Sequence, residues 1–429
     1  MNRVLYFLRN DLRIHDNQVL SAIQDAELLL PVYVFDDSLY ADTQSGFPRV
    51  GSFRFQFLSE TLTELRNAYQ ALGSDIFFAV GNPIEIVTDL IKQYSIDTVV
   101  YTREHTFEET AVESQLKDIV GIDAMQFEQR SLIFPRHLPF ERGELPDVFT
   151  VFKNEVEKRL HIEEPLPRVK KLPAFPDPLK STSIPAGEVF GIPFIRQDPR
   201  AAIIFRGGET SGLDRLDYYL FKSKAVANYK DTRNGMMGAD YSSKLSTWLA
   251  NGSLSPRMVY GRLKEYESQF GASSSTYWLF YELLWRDYFR FVAMKYGAKL
   301  FRKTGVKQYM RSKEAPVNAD LLFNQWMSGS TNDQFVNAHM LELRLTGYMS
   351  NRGRQNVASY LVHDLGIDWR LGASYFESAL TDYDVCSNWG NWAYLAGVGN
   401  DPRPDRKFNT TRQAEIYDAN GEFRKLWLQ

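Results

Sequence analysis

The pattern of the apolar positions changes twice along the chain. Residues 4–8, 28–34, 76–80 and 98–101 form short apolar runs without polar alternation, the pattern of strands buried on both faces. Between them Phe53, Phe57, Leu58, Leu62 and Leu65 recur at helical spacing, and Asn82 before Pro83 reads as a cap followed by a first-turn proline. Strands alternating with helices predict an α/β domain with a doubly wound parallel sheet over residues 1–130. No GxGxxG follows the first apolar run, so the usual dinucleotide fingerprint is absent. A ligand at the carboxyl ends of the strands and a purely structural role both stay open for this domain.

From residue 131 the pattern is punctuated by proline: 11 of the 18 prolines fall in residues 131–200. Proline is excluded from helix interiors and central strands, so the segment reads as a long connector with one helix near residues 148–160. Phe149, Phe152, Phe175, Phe190 and Phe194 give it enough apolar surface to be ordered. Beyond residue 201 the strand signals stop. Leu213, Leu216, Leu220 and Phe221 share one helical face, as do Trp278, Tyr281, Glu282, Trp285 and Phe289, and Val357, Tyr360, Leu361 and Leu371 continue the trend. Residues 201–429 are therefore expected to form a larger all-α domain, joined to the first by the Pro-rich connector.

Charge sharpens this division. The net charge of -3 conceals 21 Lys and Arg against 30 Asp and Glu in residues 1–200, and 29 against 23 in residues 201–429. A polyanionic partner would meet the second part, which also holds all eight Trp. Cys386 is the single cysteine, so no internal disulfide and no cysteine metal cluster can form, and no metal site is expected. With no signal-peptide pattern ahead of the first apolar run and no span of about 20 apolar residues, a soluble, cytoplasmic monomer is the expectation.

Two stretches carry more polar groups than a core needs. TGYMSNRGRQNVASYL (residues 346–361) and DYDVCSNWGNW (residues 382–392) set Asn351, Arg352, Arg354, Asp382, Asp384 and Asn388 among buried-type aromatics. Each such group buried without a partner costs about 1–3 kcal/mol, so the set points to a polar cofactor. Ser242, Ser243, Lys244, Leu245 and Ser246 lie between Asp240 and a helical pattern starting near Thr247. Hydroxyls, backbone N–H groups and a cation at a helix start suit a pyrophosphate, although an ordinary helix cap has the same composition. From Arg286 to Lys313 nine basic residues stand against the single acid Asp287, interleaved with Tyr288, Phe289, Tyr296 and Tyr309. Cations beside stacking faces suit a nucleic-acid single strand; a solvated helix face is the plainer alternative.

YKDTRNGMMGADYSSKLSTWLANGSLSPR (residues 229–257), YELLWRDYFR (residues 281–290), the two polar stretches and AGVGNDPR (residues 396–403) resemble the photolyase/cryptochrome superfamily. LPDVFT (residues 145–150), TRNG, MSNRGRQN and the DPR tail are similar to its DASH-type cryptochromes in particular. The resemblance covers essentially the whole chain. It implies FAD in the helical domain, 5,10-methenyltetrahydrofolate as antenna on the α/β domain, and blue-light-driven electron transfer to pyrimidine dimers, with single-stranded DNA the preferred substrate.

The site residues follow from the same resemblance. Tyr229 and the 242–246 segment would hold the FAD diphosphate. Asn351 would also contact the cofactor. Arg354 would pair with Asp382, and Asp384 would accept a hydrogen bond from the isoalloxazine ring. Asn388 would face flavin N5, where an amide can bond a protonated nitrogen without titrating. Trp392 and Trp369 match the inner members of the electron-carrying tryptophan chain; the outer position falls on Pro316, with Tyr309 or another exposed aromatic as substitute. Glu282, Trp285, Arg286, Asn351, Arg352, Gln355 and Tyr394 would meet the lesion and its strand, Gln355 and Tyr394 making the pocket more polar than is usual for dimer photolyases. Glu109 would contact the folate. Asn337 and Leu341 stand where the family has an Asp and an Arg four apart, which predicts altered loop geometry at the pocket rim. His339 and His363 read as structural. A light-sensing cryptochrome that binds nucleic acid without repair is the alternative to the enzyme.

Overall fold

The computed structural model describes residues 2–41, 46–119, 121–177, 179, 182–308, 316–403 and 406–429. Tyr309, Arg311 and Lys313 lie outside the described residues. Five strands, β1 (Arg3–Leu8), β2 (Leu28–Phe35), β3 (Phe77–Val80), β4 (Thr98–Thr102) and β5 (Asp123–Phe127), form one parallel sheet in the order β3-β2-β1-β4-β5. β1 and β4 are almost wholly buried, as their unbroken apolar runs require. β5 has no counterpart among the predicted strands. It is an edge strand of mixed composition, DAMQF, with only intermediate burial, so it lacks the apolar run that marks the central strands. The helix Ser52–Ala71 follows the predicted face, and the Asn82 side chain accepts from Ile84 N and Glu85 N at the start of Pro83–Tyr94.

The connector contains the helix Phe149–Lys158, whose Phe149, Phe152 and Val156 enter the helical core. That core forms around the long helix Ser274–Tyr296, which packs against Val385–Leu395. Its start is fixed by a capping box between Ser273 and Thr276. No helix among the described residues is long and apolar enough to cross a membrane.

Ion pairs that cross from the sheet to the helices are buried. Asp16 meets Arg257, and the Ser255 hydroxyl donates to the same carboxylate. Glu104, just after β4, faces Arg130 Nε at 3.2 Å and Arg290 Nη1 at 3.5 Å. Arg290 and Arg130 both reach Asp384, the latter at 3.5 Å. All four side chains are under a tenth exposed. Gly252, at φ 74°, lies so close to the Asn10 carbonyl that a β-carbon would collide with it, which requires glycine at this contact between the layers.

The helix Gln334–Thr346 explains one departure noted in the sequence. Asp333 caps it, and Asn337 holds the preceding loop by accepting from Thr331 N at 2.8 Å and donating to Thr331 O at 2.8 Å. Asn337 and Leu341 do not line the large cavity of the helical domain; the Asn337 amide is a local tie within this loop. His339, on the same helix, is fully buried between Phe335 and Phe423. Burial lowers it to about 3, while burial raises Glu342, 3.8 Å away, to about 8. His339 is therefore neutral near pH 7. Unfolded histidine takes up a proton near pH 6.5 that folded His339 refuses until about 3, so this residue removes stability as pH falls through that window. His339→Leu is expected to flatten the acid limb of the melting-temperature profile between about pH 6.5 and 4, with little effect at neutral pH.

Candidate functional site

One open cavity in the helical domain gathers most of the residues singled out by sequence: Tyr229, Ser242, Lys244, Leu245, Ser246, Asn351, Arg354, Asp382, Asp384, Asn388 and Trp392 all line it. Glu282 and Gln355 line it too.

Four segments supply the wall. The first is the loop ahead of Ser246–Asn251. This helix has six residues, and the loop before it shapes the wall. Arg215 fixes the loop by donating to the carbonyls of Ala239, Ser242 and Ser243. Ser243 does not line the cavity. Lys244 adopts the left-handed backbone region at φ 55°, and its side chain is buried. Its Nζ has no hydrogen-bond acceptor among the described residues and rests over the Tyr241 ring. Burial pushes it well below the usual lysine range, with Glu342 opposing.

The second segment begins at Ser350, whose hydroxyl caps Asn351–Ser359 by accepting from Gly353 N. Arg354 projects from this helix to both oxygens of Asp382, at 2.9 and 2.8 Å, as the resemblance implied. Ser246 Oγ donates to the same carboxylate at 2.6 Å. The third segment is Val385–Leu395, capped by Asp384, which accepts from Ser387 N. Burial alone would raise the Asp384 carboxyl; Arg290, Arg286 and Arg130 instead hold it well below the ordinary range. Asn388 Nδ2 donates to Ala373 O at 3.0 Å, which leaves the amide oxygen as the group turned to the cavity. Trp392 packs against the backbone at Gly372.

The fourth segment is the face of Ser274–Tyr296 bearing Glu282. Burial raises the Glu282 carboxyl and Arg233, its ion-pair partner, pulls it back. Trp285, Arg352 and Tyr394 lie beside the wall rather than on it. Trp285 stacks on Phe149 at 3.7 Å and meets Tyr394 edge-on at 5.9 Å. Arg352 donates to Gln355 at 3.0 Å and to Asn234 at 2.8 Å.

Arg286 departs from its expected place. It is largely buried and donates to Arg130 O and Leu249 O, and burial lowers it to about 9. With Arg290 one turn on and also buried, the basic run does not form a single exposed stripe: an i, i+4 pair on the inward helix face serves the carboxylates and carbonyls of the interface. Lys299, Arg302, Lys303 and Lys307 are its exposed members among the described residues. Arg233, Tyr241 and Tyr348 were not singled out for the site by sequence; the TRNG and GADYSS runs held the first two, but nothing in a linear pattern turns them inward.

Two further predicted residues sit apart. Trp369 is buried and donates to Lys303 O at 3.1 Å. Glu109 lies on the helix Phe107–Lys117; burial raises it to about 7, and its Oε2 is buried without a hydrogen bond. His363 approaches the Leu395 carbonyl at 3.2 Å.

A parallel α/β layer beside a helical domain with a polar, cation-lined cavity is the architecture of a photolyase-type flavoprotein. Residues 4–174 match the DNA photolyase family, and residues 278–429 match the FAD binding domain of DNA photolyase. Cryptochrome DASH of Xenopus laevis is 45% identical over 433 residues, covering 99% of this chain and 82% of that protein. The crystal structure of a Synechocystis cryptochrome superposes with a TM-score of 0.95 at 44% identity, covering 100% of this chain and 89% of that one. A class III photolyase from Agrobacterium tumefaciens gives 0.84 at 27% identity, covering 100% and 86%. The chain belongs to the photolyase/cryptochrome family, within its cryptochrome DASH branch.

The residues fit FAD. Lys244 is a buried cation without a hydrogen-bond acceptor, which a diphosphate would supply, and Asn388 presents an acceptor for a ring N–H. Lys244→Met is expected to raise the melting temperature of the apoprotein by removing a buried amine that has no hydrogen-bond acceptor. The same change should weaken FAD binding by roughly 10- to 100-fold, the equivalent of one charged hydrogen bond. Calorimetry on apoprotein and FAD titration check the two halves.

Proposed function

We propose that this chain is a blue-light-dependent deoxyribodipyrimidine photolyase acting on cyclobutane pyrimidine dimers, preferentially in single-stranded DNA. The observation that carries this reading is that an acceptor amide, Asn388, and a carboxyl raised by burial, Glu282, line the same open cavity. When bound, reduced and photoexcited FAD supplies a one-electron reductant, and the electron returns once the ring has opened.

The protein's own residues hold, orient and shield. Lys244 and Ser242 meet the diphosphate. Ser246 and Arg354 meet at Asp382, so the cation beside the ring system is fixed by hydrogen bonds at both carboxylate oxygens. Asn388 Oδ1 would accept from a protonated N5 of a bound flavin, which would favour the reduced form. Glu282, oriented by its ion pair with Arg233, accepts from a pyrimidine N–H. Gln355, Arg352, Trp285 and Tyr394 surround the mouth, with Asn351 at the start of the adjoining helix. A flipped dimer must leave its stack, which costs a few kcal/mol in a duplex and less in a single strand. Gln355 and Tyr394 make the mouth more polar and so offset less of that cost by apolar contact, hence the single-strand preference. Glu109, an acceptor lacking a partner, is proposed to bind the pterin edge of 5,10-methenyltetrahydrofolate. A cytoplasmic monomer is part of the same reading, the single cysteine suiting a reducing compartment.

The purified holoprotein, illuminated with a dimer-containing oligonucleotide, should restore thymine absorbance faster on single strands than on duplex. With FAD bound and reducible, no recovery on either form would instead support a light-sensing cryptochrome that binds nucleic acid without repair.

A further inference from the structure

We infer that Trp389 is the terminal electron donor of this chain, the residue through which the Trp392 and Trp369 pair is connected to solvent. The inference rests on the FAD reading above and adds a residue that reading does not contain.

The sequence leaves the outer end of the tryptophan chain open, because the position that would hold it is Pro316, whose side chain cannot be oxidised under these conditions. Trp392 packs against Gly372, one turn along the helix Trp369–Ala379 from Trp369 itself. An electron hole reaching Trp369 finds no exit there: the indole is 4% exposed and its N–H is committed to the Lys303 carbonyl, which cannot take a proton at neutral pH. Trp389 lies 5.7 Å from Trp369, ring centre to ring centre, at 77°. It is partly exposed and lines a second cavity with Thr106, Phe107, Phe301, Tyr383 and the carboxylates of Glu108 and Glu377. Its N–H is directed at Tyr383 Oη, 3.2 Å away. Trp389 thus has what Trp369 lacks, contact with an open cavity and a hydroxyl able to relay its proton.

A competing branch leaves Trp392 in the other direction. Trp326 is 6.2 Å from Trp392, and Tyr375 is 5.7 Å beyond. Trp326 is completely buried with its N–H on the Val357 carbonyl. Tyr375 directs its hydroxyl toward a backbone carbonyl at 3.5 Å, and burial raises its phenol to about 12. Oxidising a phenol requires loss of its proton, and a carbonyl does not accept one, so this branch is a dead end.

One electron leaves Trp392 for photoexcited oxidised flavin. Trp369 refills Trp392, and Trp389 refills Trp369. The Trp389 radical cation then releases its Nε1 proton through the Tyr383 hydroxyl to water in the second cavity, leaving a neutral indolyl radical. A soluble thiol returns one hydrogen atom to Nε1, and two thiyl radicals combine to a disulfide. Per electron stored on the flavin, one thiol is oxidised.

The test uses FAD-loaded wild-type protein, Trp389→Phe and Trp389→Tyr, with FAD content measured first and flash-induced radicals followed by transient absorption and electron paramagnetic resonance. Trp389→Phe should keep its FAD, lose the long-lived neutral tryptophan radical, and lose light-driven flavin reduction by thiol. Trp389→Tyr, whose phenol can also be oxidised with proton loss, should regain a long-lived radical with a tyrosyl line shape. A Trp389→Phe protein with the wild-type radical, lifetime and reduction yield overturns the assignment while leaving the FAD reading intact. Wild-type protein that takes up no FAD, or whose FAD is not reduced by light, overturns both.

Discussion

The structure depends on a buried cluster of charges in which an acid from the sheet and an acid from the helical domain share two guanidinium groups. Glu104 and Asp384 are far apart in sequence, and Arg130 and Arg290 lie between them in space. None of these four could be buried alone, because an unpaired ion in a low-dielectric interior costs several kcal/mol. Each is stable only when the two domains are docked and the polar stretch at Asp384 is in register. The surrounding groups extend the arrangement: Arg286 ties the Arg130 and Leu249 carbonyls, and Asp287 accepts from Leu132 N and Ile133 N at the start of the connector.

Fixing Asp384 fixes the cavity. As the cap of Val385–Leu395 it sets that helix in place, and four residues on stands Asn388, whose amide is oriented by Ala373 O. The same register places Trp392 against Gly372 and Trp389 against Trp369. On the opposite wall the Arg354 and Asp382 pair, joined by Ser246, holds a second charged contact. Lys244, by contrast, is a cation held in position with nothing to neutralise it fully. A cavity whose other charges are paired and whose one buried ammonium lacks an acceptor is preorganised for an anionic cofactor, which fits the FAD-binding domain of the family.

Much of this was legible in the sequence wherever a local signal exists. Central strands showed as unbroken apolar runs, helices as apolar faces, and the Asn82 and Pro83 cap as a start signal. β5 was not legible because an edge strand carries no continuous apolar run. The cavity residues were legible as a load of amides and charges among aromatics, and the pairing of Arg354 with Asp382 followed from resemblance. What remained hidden depends on contacts distant in sequence: the DNA-facing expectation for Arg286 failed because its partners are backbone carbonyls contributed by other segments, which no charge count reveals. Ser243 lies in the same segment but does not line the cavity. The Asn337 departure showed only as a lost ion pair, whereas the folded chain uses that amide to tie the Thr331 loop.

The most direct test is a double-mutant cycle between Asp384 and Arg290 on the apoprotein at pH 7, with unfolding free energies from denaturant titration of wild type, Asp384→Asn, Arg290→Met and the double variant. If the buried cluster governs domain docking and cavity register, each single change leaves an uncompensated charge and the double change is less damaging than their sum. The coupling energy should then be about 1–3 kcal/mol. Additivity to within about 0.5 kcal/mol would show that the two residues act independently and would contradict the account.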